Sequence, residues 1–466
     1  MFENLLGQPV AGRLIQDIEA GILAPAMLFS GPPVSGKGTA ALELGRVISC
    51  EVAREAGVSA LAGASAVEGA TPKAGATALA GEAPWTCACP ACSRHRLLVH
   101  PDLLCLGWKP FSAEIAASAG TFLRETESLP ARLLFIRSIR KLLARFNPVL
   151  WEDEPRGKKA FPLVYSLEED LDELDLLTSG DNKESVVKLT EAMLKNVYKL
   201  ESEGISETIP IDQIRRAAYW SRLAPFGRGK LLVIENAHRM QEEARNSLLK
   251  LLEEPPGRVH IVLSTPRPGS LLPTILSRLR PYRFNSRGAS VEEEVIRRVF
   301  RDNVKKPDGI AAYLDSFLPV SGATLEALAA FFAASAAFKA AILSRKQGRP
   351  LPMELVLLGK LCAPKAEAAG LGRPRGEAAA VISLILERAD NFEIHSLFPR
   401  FLGFLLEQVS LSVRQAPSPC LPSVAYNELW KKCVAWTETA VGIYKLRAAP
   451  ALEKLFTDLS RGLAAL

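Results

Sequence analysis

The sequence predicts an α/β domain followed by segments that are helical throughout, and three observations carry that prediction. Short apolar runs at 26–29, 231–234 and 260–263 are followed by small or polar residues, as buried strands are where a sheet meets its ligand. A glycine-rich turn joins the first run to a stretch of helical periodicity. From Val291 onward the apolar spacing is helical to the last residue.

In chain order, Ala26-Met27-Leu28-Phe29 is the first strand. Gly31 and Gly36 then allow the backbone to curl, so that successive N–H groups face an anion. With Lys37 they have the Gly-x-x-x-x-Gly-Lys spacing of a phosphate-binding loop. The helix that starts at Lys37 buries Ala40, Ala41, Leu44, Val47 and Ile48 and turns its N-terminus toward the phosphates. Gly38 stands where a Ser or Thr should offer magnesium a hydroxyl. Thr39 lies roughly 100° further round the helix and is a poor substitute. Two roles stay open for Lys37: holding phosphate weakly, or neutralising carbonyls in an empty pocket.

Cys50 ends that helix, and Cys87, Cys89 and Cys92 follow in Cys-x-Cys-x-x-Cys spacing. Four thiolates would form a closed, structural zinc site, with a reduced cluster lacking metal as the alternative. The Ala/Gly-rich stretch 60–83 between them reads as a flexible loop insertion. A strand at 101–106 precedes a second insertion, about 107–205. Within it Phe135, Ile139, Leu142 and Phe146 share one helical face, and Arg137, Lys141 and Arg145 form a basic stripe on another. That stripe either touches DNA phosphates, or is a solvated face or one neutralised by the acidic run 168–175.

Beyond the insertion, a helix opens at Ile211 with Asp212 as its cap. The strand 230–234 ends in Glu235-Asn236, where nucleotide-driven motors carry Asp-Glu. Glu235 takes the first place with a longer side chain, and Asn236 cannot accept a proton, so weak or no hydrolysis is expected. A helix over 241–254 is stopped by Pro255-Pro256-Gly257, a strand covers 260–265, and Ser277-Arg278-Leu279 follows on a short helix. Cys105, Cys362, Cys420 and Cys433 read as core packing.

The chain's 466 residues allow two or three cores, and 48% hydrophobic with 23% charged residues is the balance of a globular protein. A net charge of +6 permits work near nucleic acid. No apolar run is expected to reach the ~18 residues that span a bilayer. The opening residues lack a secretion signal. A cytoplasmic protein with reduced cysteines and no membrane partner is expected.

These residues resemble the AAA+ clamp-loader subunits of bacterial DNA polymerase III. The resemblance rests on Phe2-Glu3-Asn4-Leu5-Leu6-Gly7-Gln8, the phosphate loop, the cysteine module and residues 211–215. Its most specific stretch is Asn246-Ser247-Leu248-Leu249-Lys250-Leu251-Leu252-Glu253-Glu254-Pro255-Pro256, followed by Ser264-Thr265 and Ser277-Arg278-Leu279. It implies an α/β AAA+ P-loop ATPase-like domain over 1–285, with a zinc module (50–92) and the insertion. A small helical lid domain over 286–345 and an all-α collar over 346–466 would follow. Nucleotide contacts would fall on Gly31, Gly36, Lys37, Gly38, Thr39, Glu235 and the sensor residue Thr265, and zinc on Cys50, Cys87, Cys89 and Cys92. Arg278 would be an arginine finger acting on a neighbour's nucleotide, the alternative being an ordinary surface salt bridge.

Gly38, Glu235-Asn236, and the absence of a sensor-2 arginine around 321–325 suit the family's stationary delta-prime type, with weak or absent ATP/Mg2+ binding. The implied partners are the gamma/tau motor subunits and the delta subunit, and through the complex a sliding clamp and primed DNA. An active gamma/tau-type ATPase, or another AAA+ remodelling factor, is the alternative. The insertion has no counterpart in the family pattern.

Overall fold

Five parallel strands organise the N-terminal part of the chain: β1 (Ala26–Ser30), β2 (Leu103–Leu106), β3 (Lys230–Ile234), β4 (Val259–Thr265) and β5 (Arg280–Arg283). They pair in the order β2-β3-β4-β1-β5. The computed structural model describes residues 1–52, 85–152, 154–176, 183–206, 208–303, 308–389, 397–416, 421–442 and 446–466. The expected loop at 60–83 and Cys420 lie outside them.

Every residue of β1 to β4 is buried, which is why these strands read as unbroken apolar runs rather than alternating ones: helices cover both faces. On one face α1 (Val10–Glu19) and α2 (Lys37–Ser49) pack through Leu14, Leu44 and Val47 against Met27, Phe29, Leu231 and Val233. The short α3 (Pro90–Arg96) joins this side. Strand β5 had no sequence expectation. Only its Tyr282 is buried, and Pro281 is tolerated because β5 lies at the sheet's edge. Tyr282 donates to Asp17 Oδ2 of α1 at 2.6 Å.

The other face is built largely by the insertion. Helices α4 (Ser112–Arg124), α5 (Leu129–Leu143), α6 (Pro148–Trp151), α7 (Pro155–Leu176) and α8 (Lys183–Gly204) lie between β2 and α9 (Ile211–Arg222). Their Phe135, Ile139, Leu142 and Phe146 share one core with Leu104, Leu106, Leu232 and Ile234 of the sheet. The insertion is therefore part of this unit's core. Pro210 stands at the N-cap of α9, and Asp212 falls in the first turn instead of capping it, still favourably placed for the helix dipole. Helix α10 (Glu242–Glu253) stops before Pro255-Pro256, and α11 (Pro273–Leu276), α12 (Ala289–Val299) and α13 (Ile310–Asp315) complete the unit.

The chain divides into two compact units, Met1–Phe317 and Leu318–Leu466. The segment 286–345, expected to be a separate lid, is shared between them. The second unit holds α14 (Gly322–Lys346), α15 (Met353–Ala368), α16 (Ala378–Arg388), α17 (Leu397–Arg414), α18 (Leu421–Gly442) and α19 (Ala448–Ala465). By length and composition α14 could cross a membrane, against the expectation that no run would suffice, but 72% of its apolar window is buried. It is the central helix of its unit, packed against α15, α17 and α19. Its alanines let those helices approach, while Phe331 and Phe332 fill the centre.

Candidate functional site

The expected phosphate-loop residues gather at the C-terminal end of β1. Gly31 has φ +152°, and a Cβ there would lie 2.3 Å from Phe284 O, so only glycine fits. Gly36 opens α2 with φ +94°. Lys37 Nζ turns back on its own loop, donating to Gly31 O at 2.7 Å, to Pro32 O and to Ser35 Oγ. Burial lowers the Lys37 pKa to about 8 against the pull of Glu235. The contacts are those of the carbonyl-neutralising role. Thr39 is exposed on the first turn of α2.

Sequence reasoning missed Arg287. Its Nε donates to Leu6 O at 3.0 Å and its Nη1 to Val34 O at 2.6 Å, which fastens the N-terminal arm over the loop. Gln8 adds a reciprocal pair with the backbone of Asn285. No local pattern announces this arginine, because its partners are distant in sequence.

Beside β1, Thr265 ends β4 fully buried, and its carbonyl accepts from Gly31 N at 3.3 Å. Thr265 Oγ1 lies 3.0 Å from His238 Nδ1 and accepts from Arg267 N. Burial, then Arg239, Arg267 and Arg245, push the His238 pKa down, so a neutral imidazole meets the threonine.

At the end of β3 the residues do not fit a magnesium ion. A Cβ on Gly38 would lie 2.7 Å from Glu235 Oε1, so the carboxylate fills the place of the absent hydroxyl side chain. The other oxygen, Oε2, pairs with Arg145 Nη2 inside the protein. Burial disfavours the Glu235 charge, but Lys109 and Arg145 outweigh it and hold the carboxyl below the usual range. Asn236 adopts the left-handed region (φ +51°) that asparagine tolerates, and its Nδ2 donates to Trp108 O at 2.7 Å.

The basic stripe, carried by α5 and the 3-10 turn Ala144–Phe146 that follows it, faces inward. Arg137 donates to His95 O and Arg96 O at the end of α3, Lys141 pairs with Glu114, and Arg145 with Glu235. The sequence alternatives are corrected: the stripe is not a DNA-facing surface, a solvated face or a face balanced by 168–175, because its partners are His95 O, Arg96 O, Glu114 and Glu235. It is a seam that binds the insertion to the domain.

Arg278, expected on a short helix, lies in the turn just after α11 and is about one-third exposed, at 35%. Its Nη1 donates to Thr274 O at 2.7 Å and its Nη2 to Glu253 Oε1 at 2.8 Å. Within the chain it makes the surface salt bridge named as the alternative.

The structure brings together Cys50, Cys87, Cys89 and Cys92, whose Sγ atoms all lie within 4.8 Å of one another. Tetrahedral zinc with Zn–S near 2.3 Å places its sulfurs ~3.8 Å apart, and Cys50 Sγ and Cys87 Sγ are 3.7 Å apart. Arg46, buried and paired with Glu43, donates to Cys92 Sγ at 3.3 Å. The donor set fits a structural zinc ion. Cys105 and Cys362 are buried and Cys433 half-buried, as core residues.

A parallel sheet with a phosphate loop after β1 and polar ends on β3 and β4 defines a P-loop α/β domain of a kind that fits the AAA+ class. A family model described as DNA polymerase III, delta subunit, matches residues 168–287, starting inside the stretch expected to have no counterpart. The chain is 34% identical over 126 residues to DNA polymerase III subunit delta' of Pseudomonas aeruginosa, covering 27% of this chain and 37% of that one. Over 128 residues it is 32% identical to subunit tau of Escherichia coli K12, covering 25% of this chain and 20% of that one. The chain thus spans well under half the length of these curated relatives. A solved structure of a gamma subunit-related protein from Thermotoga maritima is similar at 19% identity and a TM-score of 0.28, covering 55% of this chain and 81% of that one. The matched stretches of the chain are thus similar to DNA polymerase III subunits.

Proposed function

We propose that this chain is a delta-prime-type clamp-loader subunit: a stator that does not hydrolyse ATP and completes the active site of a neighbouring motor subunit. The observation that carries this reading is the contact of Glu235 with the Gly38 position, which puts a carboxylate where a metal-binding side chain would stand. Lys37 would have to leave the Gly31 and Pro32 carbonyls to meet an anion at the N-terminus of α2, which suits weak nucleotide binding with lost hydrolysis.

In this reading Arg278 exchanges Glu253 for the γ-phosphate held by a gamma/tau-type subunit. Both are anions that a guanidinium can hold; Glu253 takes only Nη2 here, and a phosphate could take two parallel donors. A trans arginine stabilises charge as the phosphoryl group transfers, and can raise turnover by about 10³ to 10⁵. Zinc would fix the cysteine module beside α2, and the all-helical unit Leu318–Leu466 would serve as collar, joining this chain to the motor and delta subunits. The assembly would load a sliding clamp onto primed DNA in the cytoplasm.

The test is the DNA- and clamp-stimulated ATPase of a loader reconstituted with variants of this chain. Arg278→Ala is expected to lower turnover by at least ~100-fold, with Lys37→Ala near wild type. A comparable loss with Lys37→Ala would identify an active ATPase subunit instead.

A further inference from the structure

The family's magnesium site is missing more than a hydroxyl here, because the carboxylate left at the end of β3 already has a cation. Arg145 Nη2 pairs with Glu235 Oε2, the two side chains being 6% and 10% exposed. Only Nη2 of the guanidinium is bonded, Nε and Nη1 being buried without a hydrogen-bond partner among the described residues, and two further contacts help to place the residue. Its backbone oxygen accepts from Trp151 Nε1 at 2.6 Å, and its guanidinium lies 5.4 Å from the centre of the Phe111 ring. Lys109 and Lys141, also near Glu235, are both paired with Glu114, while Lys37, which Glu235 also attracts, is bonded to its own loop. The beginning of the insertion closes on the same strand end. Gly107 packs so tightly that a Cβ would lie 2.0 Å from Glu235 O, and Trp108 O holds the Asn236 amide.

We propose that Arg145, carried in by the inserted helices, is the resident counter-cation of Glu235 and stands in place of the divalent ion, so that this site takes up no magnesium. Loss of metal chemistry and docking of the insertion are then one event: the carboxylate a motor domain would use for magnesium anchors α5 and its neighbours. An ion pair this deep leaves an uncompensated charge when either partner is removed, and that coupling is measurable. The proposal deepens the non-hydrolysing reading above and rests on it only in treating this strand end as the family's metal site.

The experiment uses the full isolated chain, so failure of loader assembly would not affect it. Mn2+, as a paramagnetic stand-in for magnesium, is titrated with and without ATP and followed by electron paramagnetic resonance. Thermal midpoints are measured for Arg145→Met, Glu235→Gln and the double variant. The wild-type spectrum is expected to match that of Mn2+ or Mn2+–ATP without protein. Each single variant is expected to lower the midpoint by at least ~4 °C, and the double variant to recover more than half of the summed loss. Stoichiometric Mn2+ binding by wild type that disappears in the double variant would overturn the proposal, and the comparison also separates this site from the cysteines. Strictly additive midpoint losses would overturn it too.

Discussion

Lys37 shows how one half-buried charge links the loop's shape to solution pH. Its ammonium holds Gly31 O and Pro32 O, and burial lowers its pKa from 10.5 to about 8. The unfolded chain keeps this proton up to about pH 10.5 and the folded chain only to about 8, so the unfolded state binds more protons between these values. The Lys37 contribution to stability therefore rises with pH across that window. Urea unfolding of wild type and Lys37→Met from pH 7 to 10.5 is expected to show the rise in the difference between them. Parallel curves would remove this account. The Gly38 contact was partly legible: the missing hydroxyl is visible in sequence, but its replacement by Glu235 is a contact between strand and helix that no local spacing predicts.

Helix α5 illustrates what periodicity can and cannot tell. Its apolar face is where the pattern put it, buried against the sheet. The opposite stripe reads as a surface only if nothing else folds over it, and here α3, α4 and β3 all do. Arg137→Ala is expected to cost about 1.5–3 kcal/mol of stability through the lost bonds to His95 O and Arg96 O, measured by urea unfolding. DNA affinity, measured by fluorescence anisotropy, is expected to stay within about two-fold; a larger fall would return the stripe to a nucleic-acid role. The cysteine module was more legible, since its three close cysteines follow a helix that already ends in Cys50. About one zinc per purified chain is expected by mass spectrometry, with loss on Cys92→Ser and a lower midpoint after chelation. A chain that is fully folded and zinc-free would exclude the metal.

At the scale of the molecule, the division at Phe317 and Leu318 gives each unit its own apolar core. In the second unit the core is organised by α14, whose apolar window would suit a lipid environment if it were not covered by α15, α17 and α19. The fragment 318–466 expressed alone is therefore expected to unfold cooperatively with helical circular dichroism, its calorimetric and van't Hoff enthalpies agreeing. A non-cooperative, dye-binding state would show that this core depends on the first unit.

The sequence by itself determined what local chemistry can write: four buried strands, the phosphate loop, the clustered cysteines, the altered end of β3 and the helical second half. Each is encoded by side-chain period, glycine backbone freedom or turn residues within a short stretch of chain. Tertiary structure alone decided the polar edge strand β5, the clamp of Arg287 on the N-terminal arm, and the inward turn of the basic stripe. Most decisive is the pairing of Arg145 with Glu235, partners 90 residues apart in the chain. Charged side chains advertise their charge in sequence but not their counter-charge, and which one they meet depends on how the inserted helices close over the sheet.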